Sequence, residues 1–487
     1  MNHSFKNTDL PARGEIPTVF LPGWAFDGTI LQLFNPSPSW IYPEVPIDPQ
    51  TIERDLLRLL DALRVRQVRI VGWSMGAMLG LEFASRHQHL VNSLDLVSFR
   101  RHWPDHEMKE IKAEYSRDPA TFLRNFYRKC FLGDKTTYRK FCITLENVYL
   151  ESANYYNDRL QRGLEYLASY EIPCRPPPIA IRLIHGEQDI IAPAGEMPDL
   201  PGAAVEVVAK AGHTVFLQED SPLQTELRKQ IIQAKFSRAA DSYDSYAKVQ
   251  AEVARRLAIK LASIPGKSWC KTILEIGCGT GNFTTMLVDR FPGVKILSLD
   301  FSPEMIAQAR RKINTPVVEF LCTDGELFLK KAQDRSFDLV VSNGSLQWFG
   351  NIENTFSDIS RILTPQGMFF CSIFGPGSLA ELAAGLHDVL GPGEGLVAES
   401  FPSKENLQVH LATYFNGGRI EEEFFAKTYR SVYDLLLHIK KTGTAGWHQR
   451  LSQPLTPSRV SRLDAWFTKT YGACRTTYQI LFLQGGV

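Results

Sequence analysis

A glycine-rich turn directly after a short apolar strand constrains the fold of this chain more than any other feature. Residues 272–276, Thr-Ile-Leu-Glu-Ile, have the apolar run typical of a buried parallel strand. Three glycines follow at every second position: Gly277, Gly279 and Gly281. Because glycine has no Cβ, such a turn lets a ligand approach the backbone closely. Asn282 and Thr284 occupy the third glycine position in the two registers of G-x-G-x-x-G, so the dinucleotide-binding fingerprint is absent.

Strands and helices alternate after this turn. Short apolar segments predict further parallel strands at 294–299, 317–321, 337–341 and 368–373. Two late strands are predicted near 424–431 and 478–484. The alternation is typical of a doubly wound parallel sheet, which binds its ligand at the carboxyl ends of the strands. For the glycines alone, an ordinary tight turn in an α/β domain is the alternative interpretation.

The spacing Glu-x-Gly-x-Gly-x-Gly, which begins at Glu275, resembles the first motif of class I S-adenosylmethionine-dependent methyltransferases. The resemblance implies a Rossmann-like fold with the late strands as an antiparallel edge. It also implies S-adenosylmethionine as methyl donor, contacted by Glu275 and the three glycines. Asp300 ends the second strand, where a carboxylate can accept hydrogen bonds from both ribose hydroxyls. Asp324 is expected to bind the adenine amino group, and Asn343, after the fourth strand, completes the predicted cofactor site.

Segments outside the cofactor motif narrow this resemblance. Four of them look like malonyl-[acyl-carrier protein] O-methyltransferase of biotin synthesis: 236–250, 342–349, 374–379 and 438–446. The resemblance covers about residues 234–487 and implies methylation of the free carboxylate of a malonyl thioester on an acyl-carrier protein. A carboxylate is already ionised at neutral pH, so this reaction needs positioning and desolvation and no strong general base. For five side chains, a substrate or carrier contact and a structural role are equally open: Tyr243, Tyr246, Gln250, Lys440 and Lys441.

The N-terminal half contains a strand followed by G-x-S-x-G and a helix. Residues 68–71 predict the strand, the motif follows at 72–76, and residues 77–84 predict the helix. This is the context of a nucleophile elbow, in which two glycines relieve crowding around a sharp turn. Ser74 is therefore the predicted nucleophile.

A serine nucleophile needs a base, and the base needs an orienting carboxylate. Asp189 and His213 each follow directly after a predicted strand. The order serine, aspartate, histidine along the chain resembles the α/β-hydrolase superfamily over about residues 15–232. His185 lies close to Asp189 in the sequence, but it is interpreted as part of the turn and not as the base.

Two backbone N–H groups are predicted to stabilise the oxyanion, those of Met75 and Trp24. Many members of the superfamily have His-Gly ahead of the second amide, whereas this chain has Pro22-Gly23. The resemblance therefore leaves the shape of this loop open. Trp24 is also a candidate wall of the acyl pocket.

Residues 99–170 predict a helical insertion that fits the lid carried by many hydrolases. Four aromatic residues are candidates for an acyl channel or for plain core packing: Phe122, Phe126, Tyr127 and Phe131. Six basic residues form either a solvated face or a docking site for an acidic carrier protein: Arg124, Arg128, Lys129, Lys135, Arg139 and Lys140. Arg124 and Arg128 are the candidate carrier contacts.

The chain is therefore predicted to contain two α/β domains, an α/β-hydrolase fold at 1–232 with a helical lid at about 100–170 and a methyltransferase fold at 236–487. Beside a carboxyl methyltransferase, the hydrolase resembles pimeloyl-[acyl-carrier protein] methyl ester esterase. The methyl ester would hide a charged ω-carboxylate from an apolar tunnel, and the esterase would later remove it. Two alternatives remain open: an esterase or thioesterase of other specificity, and a catalytically weak module that docks the carrier.

Composition sets limits on cofactors, partners and location. A net charge of +1 offers no general attraction to nucleic acid or membrane. The eight cysteines are scattered without a C-x-x-C pair, which favours a reducing cytoplasm and argues against zinc and disulfides. The N-terminus lacks the apolar core of a signal peptide. The sequence predicts a cytoplasmic enzyme that needs no metal and binds neither nucleic acid nor membrane.

Overall fold

The computed structural model describes residues 5–6, 16–34, 40–219, 221–262, 270–391, 395–444 and 455–487. The chain divides into two compact units, Met1–Leu227 and Arg228–Val487. Part of the narrower resemblance rests on the segment 438–446, and its last two residues lie outside the described residues.

The boundary between the units differs from the predicted limits 1–232 and 236–487. It falls after Leu227, within a helix that runs from Pro222 to Ala239. Lys229 pairs with a carboxylate of the second unit, and Ile232 packs in a core cluster of that unit. Residues 229–232 were predicted to belong to the first domain, but the contacts of Lys229 and Ile232 lie in the second unit.

The first unit is built on a five-stranded parallel sheet. The strands of the whole unit are β1 (Phe5–Lys6), β2 (Thr18–Leu21), β3 (Tyr42–Pro43), β4 (Val68–Trp73), β5 (Val91–Val97), β6 (Ala180–Gly186) and β7 (Ala204–Val208). The order across the sheet is β2-β4-β5-β6-β7, while the two-residue strands β1 and β3 pair separately. The strands that precede Ser74, Asp189 and His213 are β4, β6 and β7. They lie in one parallel run with β5 between β4 and β6, so their carboxyl ends share one edge of the sheet.

Helices cover this sheet and form an insertion between β5 and β6. They are α1 (Ile52–Leu63), α2 (Met75–Arg86), α3 (Asp105–Arg117), α4 (Pro119–Cys130), α5 (Lys135–Thr144), α6 (Glu146–Tyr155), α7 (Asn157–Ser169) and α8 (Pro222–Ala239). Helices α3 to α7 form the predicted helical lid. Asp118 and Asp134 cap α4 and α5 by accepting backbone N–H bonds, which explains where these helices begin.

The second unit is built on a seven-stranded mixed sheet. Its strands are β8 (Thr272–Ile276), β9 (Lys295–Asp300), β10 (Val318–Cys322), β11 (Phe337–Asn343), β12 (Leu363–Phe374), β13 (Asn416–Thr428) and β14 (Arg475–Gly486). The order is β10-β9-β8-β11-β12-β14-β13, and β14 is the one strand of this sheet that runs in the opposite direction to the others. The strand predicted near 424–431 is longer and ends earlier, because β13 pairs with β14 up to Thr428 and Ser431 already caps the next helix.

Ten helices of the second unit complete the described part of the chain. They are α9 (Tyr243–Tyr246), α10 (Lys248–Ala262), α11 (Asn282–Arg290), α12 (Pro303–Lys312), α13 (Gly325–Lys331), α14 (Ile352–Ile362), α15 (Ala380–Leu390), α16 (Lys404–Tyr414), α17 (Val432–Lys441) and α18 (Pro457–Tyr471). Strand order reverses between β9-β8 and β8-β11, which is the topological switch point where such sheets bind ligands.

Candidate active sites

Ser74 stands on a strained turn between β4 and α2. Its backbone has φ 55° and ψ −118°, a conformation that L-residues rarely adopt. Its N–H donates to the carbonyl oxygen of Val97 at 2.8 Å, which ties the turn to β5. The side chain is only half-buried. The predicted nucleophile elbow is therefore present, and it presents the hydroxyl at the start of a helix.

The glycines of the elbow are required by close backbone packing. A Cβ on Gly76 would overlap the carbonyl oxygen of Leu21, and one on Gly72 would overlap the backbone of Gly76. A Cβ on Gly23 would lie 3.2 Å from the Cβ of Ser74. The loop after β2 thus packs directly against the nucleophile turn.

Asp189 and His213 form a buried pair. Asp189 Oδ2 lies 2.8 Å from His213 Nδ1, and the two residues are 4% and 1% exposed. A carboxylate can only accept, so Nδ1 carries the proton and Nε2 is left as the basic nitrogen. The backbone N–H groups of Ile191 and Ala192 both donate to the other oxygen of Asp189. Burial alone would raise the pKa of Asp189, but the interactions with His213 and Ala192 lower it.

Trp73 connects this pair to the nucleophile. It precedes Ser74 in the chain, and its indole N–H donates to the carbonyl oxygen of His213 at 2.8 Å. The two rings lie 5.4 Å apart between centroids. The three predicted catalytic residues are therefore brought to one edge of the sheet, with Trp73 fixing the backbone of the histidine relative to the elbow.

His185 has a different role from His213. It lies within β6, is 1% exposed, and its Nε2 is 2.6 Å from the carbonyl oxygen of Ala192. Since a carbonyl only accepts, this nitrogen carries a proton and cannot act as a base. Burial lowers the pKa of His185. His185 was interpreted as part of the turn, whereas the structure places it near the end of strand β6. Its contact with Ala192 fits the interpretation that it is not the base.

The two predicted oxyanion donors flank Ser74. Met75 is the first residue of α2, and a helix offers no internal acceptor to its first N–H groups. Trp24 follows Gly23, whose backbone packs against Ser74. The Trp24 indole N–H donates to the carbonyl oxygen of Leu160 in α7, so the lid fixes this side chain.

The lid aromatic residues separate into two groups. Tyr127 and Phe131 are 0% and 2% exposed, and the Tyr127 hydroxyl donates to the carbonyl oxygen of Ala25. They serve core packing. Phe122 and Phe126 are half-buried and lie against the Trp24 ring, at centroid distances of 6.1 and 5.3 Å. This second group lies against Trp24, the candidate wall of the acyl pocket, and its role in an acyl channel stays a prediction.

The six basic residues of the lid are all exposed. Arg124 and Arg128 lie one turn apart on α4, and each directly follows a buried residue, Leu123 or Tyr127. Their exposure suits both a solvated face and a docking surface, so the role predicted for Arg124 and Arg128 stays a prediction.

The second unit has a cavity at the carboxyl ends of β8, β9 and β11. It measures about 710 Å³, counting the space open to solvent. Five of the seven predicted cofactor residues line it: Gly277, Gly279, Asp300, Asp324 and Asn343. Gly277 and Gly279 have φ of 75° and 55°. A Cβ on Gly277 would overlap the Ser345 hydroxyl, whereas one on Gly279 would meet only open space, as a ligand cradle requires.

Asp300 is a buried acceptor at the edge of this cavity. Its Oδ2 accepts from the N–H of Gly279 and its Oδ1 from the N–H of Ser302, each at 2.9 Å. Burial raises the pKa of Asp300 to about 6. A carboxylate has further lone pairs to fill, and a ribose diol supplies two O–H donors. The glycine cradle and this carboxylate together fit the nucleoside part of S-adenosylmethionine.

Glu275 and Gly281 do not line the cavity. Glu275 Oε2 accepts from the hydroxyls of Thr284 and Ser298, at 2.6 and 2.7 Å, beneath the glycine turn. Burial raises the pKa of Glu275 to about 7. Gly281, at φ 84°, precedes α11 as its N-terminal cap residue. Both residues were predicted as cofactor contacts, but they shape the turn because the strand buries Glu275 behind it.

Asp324 lines the cavity and already has two donors. It caps α13 by accepting from the N–H of Leu327 at 3.0 Å, and its Oδ2 lies 2.7 Å from the ammonium nitrogen of Lys229. Asn343 lies across the cavity, where its Oδ1 accepts from the hydroxyl of Ser372. Lys229 was not predicted from the sequence, since no local pattern marks a lysine in α8 as a neighbour of α13.

A second cavity of about 670 Å³ adjoins the first. Four residues line both: Phe236, Tyr243, Gly344 and Trp348. Its remaining lining is mostly apolar. The side chains there that carry a polar group are Gln250, Gln347, Ser378, Thr444 and Tyr478. Gln347 was not predicted, although it lies in the segment 342–349. A methyl donor bound in the first cavity and a methyl acceptor bound in the second would meet at the wall formed by these four shared residues.

Tyr243 and Gln250 line a cavity, and their contact with a ligand stays a prediction, whereas three other candidates line neither cavity. These three are Tyr246, Lys440 and Lys441. Lys440 is exposed at the end of α17. The prediction that lysines hold the substrate carboxylate therefore has no support from the lining of these cavities.

Asp244 fastens the segment 236–250 to the glycine turn. Its carboxylate accepts from the Thr280 hydroxyl at 2.6 Å, the Asn282 amide at 2.8 Å and the Lys312 ammonium at 2.7 Å. Sequence reasoning missed it, although the two tyrosines that flank it at one-turn spacing mark the short helix on which it lies.

Among the described residues, no group of three or more His, Cys, Asp or Glu side chains is placed to hold a metal ion. No described helix combines the length and the apolar character needed to cross a bilayer.

Two family models match the chain. A model described as alpha/beta hydrolase fold matches residues 36–220, and one described as methyltransferase domain matches residues 274–371. The first match contains Ser74, Asp189 and His213, and the second contains the glycine turn and Asp300. Trp24 lies outside the first match, and Lys229 and Tyr243 lie outside the second.

Similar proteins are known for the second unit and for both units together. Malonyl-[acyl-carrier protein] O-methyltransferase of Acetivibrio thermocellus is 31% identical over 270 residues, which cover 52% of this chain and 93% of that protein. Malonyl-[acyl-carrier protein] O-methyltransferase 2 of Ilyobacter polytropus is 32% identical over 244 residues, covering 50% and 91%. Biotin biosynthesis bifunctional protein BioHC of Teredinibacter turnerae is 26% identical over 423 residues, covering 75% and 74%. The last alignment is longer than either unit alone.

Proposed function

The chain belongs to the family of malonyl-[acyl-carrier protein] O-methyltransferases, and from this premise we propose that it is a bifunctional enzyme of biotin synthesis. The second unit methylates the free carboxylate of a malonyl thioester on an acyl-carrier protein. The first unit hydrolyses the methyl ester of a pimeloyl thioester on the carrier. The observation that carries the proposed ester hydrolysis is the buried Asp189–His213 pair beside the strained Ser74 turn, in one chain with this methyltransferase.

In the second unit, S-adenosylmethionine supplies an electrophilic methyl group when bound. The glycine turn, Asp300, Asp324 and Asn343 would hold it in the first cavity. The acyl end would occupy the second cavity, whose apolar lining excludes water from the carboxylate. Because that carboxylate is already ionised, the protein contributes alignment and desolvation and no proton transfer. No metal enters this proposal.

In the first unit, the Ser74 hydroxyl attacks the ester carbonyl while His213 Nε2 takes its proton. The N–H groups of Met75 and Trp24 stabilise the oxyanion that forms. Collapse expels methoxide, which takes the proton from His213 and leaves as methanol. Water then hydrolyses the acyl-serine by the same base, and the free ω-carboxylate is released. Asp189 holds the tautomer of His213 throughout.

The two activities oppose each other, so the hydrolase has to spare the malonyl methyl ester. A pimeloyl chain is longer and presents more apolar surface, and Phe122 and Phe126 beside Trp24 are placed to contact that surface. We assign the preference for the longer chain to this aromatic group. Arg124 and Arg128, both exposed on the lid, are the proposed contacts of the acidic carrier.

Methanol release from two substrates tests the proposal. The wild-type chain and its Ser74→Ala variant receive pimeloyl-carrier methyl ester and malonyl-carrier methyl ester in parallel. Wild type is expected to cleave the pimeloyl ester and spare the malonyl ester, and the variant is expected to cleave neither. Methyl transfer to malonyl-carrier serves as control and should be equal in both proteins. Failure of wild type to cleave the pimeloyl ester would leave the first unit as an esterase or thioesterase of other specificity, or as a docking module.

A further inference from the structure

Lys229 is the one cation among the described residues that line the first cavity of the second unit. Its ammonium nitrogen lies 2.7 Å from Asp324 Oδ2 and 2.5 Å from Glu326 Oε2. The three side chains are between 20% and 23% exposed, so this is a largely shielded cluster. Burial alone would lower the pKa of Lys229, but Glu326 and Asp324 raise it, which keeps the lysine charged.

Both carboxylates of the cluster are held by backbone groups. Asp324 Oδ1 accepts from the N–H of Leu327, and the two oxygens of Glu326 accept from the N–H groups of Gly350 and Asn351. Lys229 is therefore positioned between two fixed anchors. Its ammonium group has three N–H donors, of which the two carboxylates take two.

This arrangement leaves a donor and an acceptor side by side at the cavity. The third N–H of Lys229 is a donor, and the second lone pair of Asp324 Oδ2 is an acceptor. Phe301, Met305 and Phe349 line the same cavity with apolar surface on which a purine ring can lie. An exocyclic amino group at purine position 6 would donate to Asp324, whereas an oxo group there would accept from Lys229.

We propose that Lys229 and Asp324 together recognise position 6 of the purine, so that the cofactor site tolerates an oxo group as well as the amino group of adenine. The proposal rests on the cofactor role proposed for this cavity. It makes Lys229 a specificity residue of the methyltransferase. A site with Asp324 alone would reject the oxo group, since two acceptors would face each other without a proton between them.

Equilibrium binding to the full-length chain tests this inference without any methyl transfer. The probes are S-adenosylhomocysteine and its 6-oxo counterpart, S-inosylhomocysteine, and titration calorimetry gives both dissociation constants. The quantity of interest is the ratio of the 6-oxo to the 6-amino constant, compared between wild type and Lys229→Met. The proton gained at N1 of the 6-oxo purine affects both proteins alike, so it cancels in this comparison.

We expect the ratio to be at least about tenfold larger in Lys229→Met than in wild type, the effect of leaving a group beside a buried charge unpaired. Lys229→Arg keeps charged N–H donors and should retain much of the wild-type ratio. Lys330→Met, which removes an exposed lysine from the far end of α13, should leave the ratio unchanged. The fitted stoichiometry reports the folded fraction, so a partly unfolded variant remains interpretable.

Equal ratios in wild type and Lys229→Met, within about twofold, would overturn the inference, because independent groups are additive to that precision. In that case Lys229 serves only to hold Asp324 and Glu326. If wild type binds neither probe, the cofactor role of the cavity is wrong, and the proposed methyl transfer is in doubt as well. The two failures are therefore distinguishable in one set of titrations.

Discussion

The two sites of this chain are built by opposite means. In the first unit, a few groups are joined by single hydrogen bonds: Asp189 contacts His213, and Trp73, the residue before Ser74, donates to the carbonyl oxygen of His213. In the second unit, the lining of the cofactor cavity offers shape and hydrogen bonds, and its two carboxylates, Asp300 and Asp324, already accept from backbone N–H groups. A site for proton transfer concentrates its effect in single atoms. A site that aligns a ligand distributes the binding energy over many contacts. A single substitution is therefore expected to have a larger effect in the first site than in the second.

Asp189→Asn should have the largest effect in either unit. An amide can donate to His213 Nδ1, which favours the tautomer with the proton on the wrong nitrogen, and the hydrolysis rate should fall by about 10⁴-fold. The measurement is methanol release from pimeloyl-carrier methyl ester. Methyl transfer by the same preparation is the internal control and should not change. A loss below about tenfold would mean that His213 is not the base.

This contrast also explains what the sequence could predict. Acid–base chemistry requires particular residue types at particular places, so the sequence predicts Ser74, Asp189 and His213 as catalytic residues, and the glycine turn is visible in the same way. Residues that only position a ligand have no comparable sequence motif. Lys229, Asp244 and Gln347 reach their sites only through contacts across the fold, and their chemistry is common on any surface.

Two kinds of predicted residue lie outside the lining of the cavities. Glu275 belongs to the cofactor motif, but alternation along β8 turns its side chain away from the cavity into a polar pocket under the turn. Lys440 and Lys441 have the charge to hold a carboxylate, yet they lie outside the lining of both cavities. The sequence predicted strand β8 and shows the charge of the two lysines. The direction in which each side chain points depends on packing that the sequence does not display.

Gly277→Ala should have the largest effect on the second site. The new Cβ would overlap the Ser345 hydroxyl, and φ of 75° adds strain for any L-residue. Overpacking and strain together should weaken binding of S-adenosylhomocysteine about a hundredfold. Gly293→Ala is the matched control, since Gly293 has φ of 81° but open space around its Cβ position. Similar affinities in the two variants would show that the cavity tolerates a displaced turn.

Glu275→Gln tests the support under that turn through its pH dependence. Burial raises the pKa of Glu275 from 4.5 to about 7 in the folded protein. The unfolded chain releases the proton first, so stability present below pH about 4.5 is lost as the pH rises through about 7. The amide does not titrate. As the pH rises from about 5 to about 8, the free energy of unfolding of the variant should therefore increase by about 3 kcal/mol relative to that of wild type.

Native-state hydrogen exchange at the amides of β8 measures this free energy for the second unit alone. Exchange in the sheet of the first unit is the control and should show no difference between the two proteins. A variant whose advantage over wild type does not grow with pH would mean that Glu275 is already ionised at neutral pH, held by the Thr284 and Ser298 hydroxyls.

Asp244→Asn should have the smallest effect, because it removes one of many alignment contacts. The amide keeps an acceptor for Thr280 or Asn282 but loses the charge opposite Lys312, in a pair that is 31% and 47% exposed. Solvent screening limits the value of that pair, and binding of S-adenosylhomocysteine should weaken by only about three- to tenfold. Asp241→Asn, at an exposed aspartate that accepts from Gln308, is the matched control. If Asp244→Asn instead abolished binding, a single contact would close this site, and the contrast with the hydrolase site would fail.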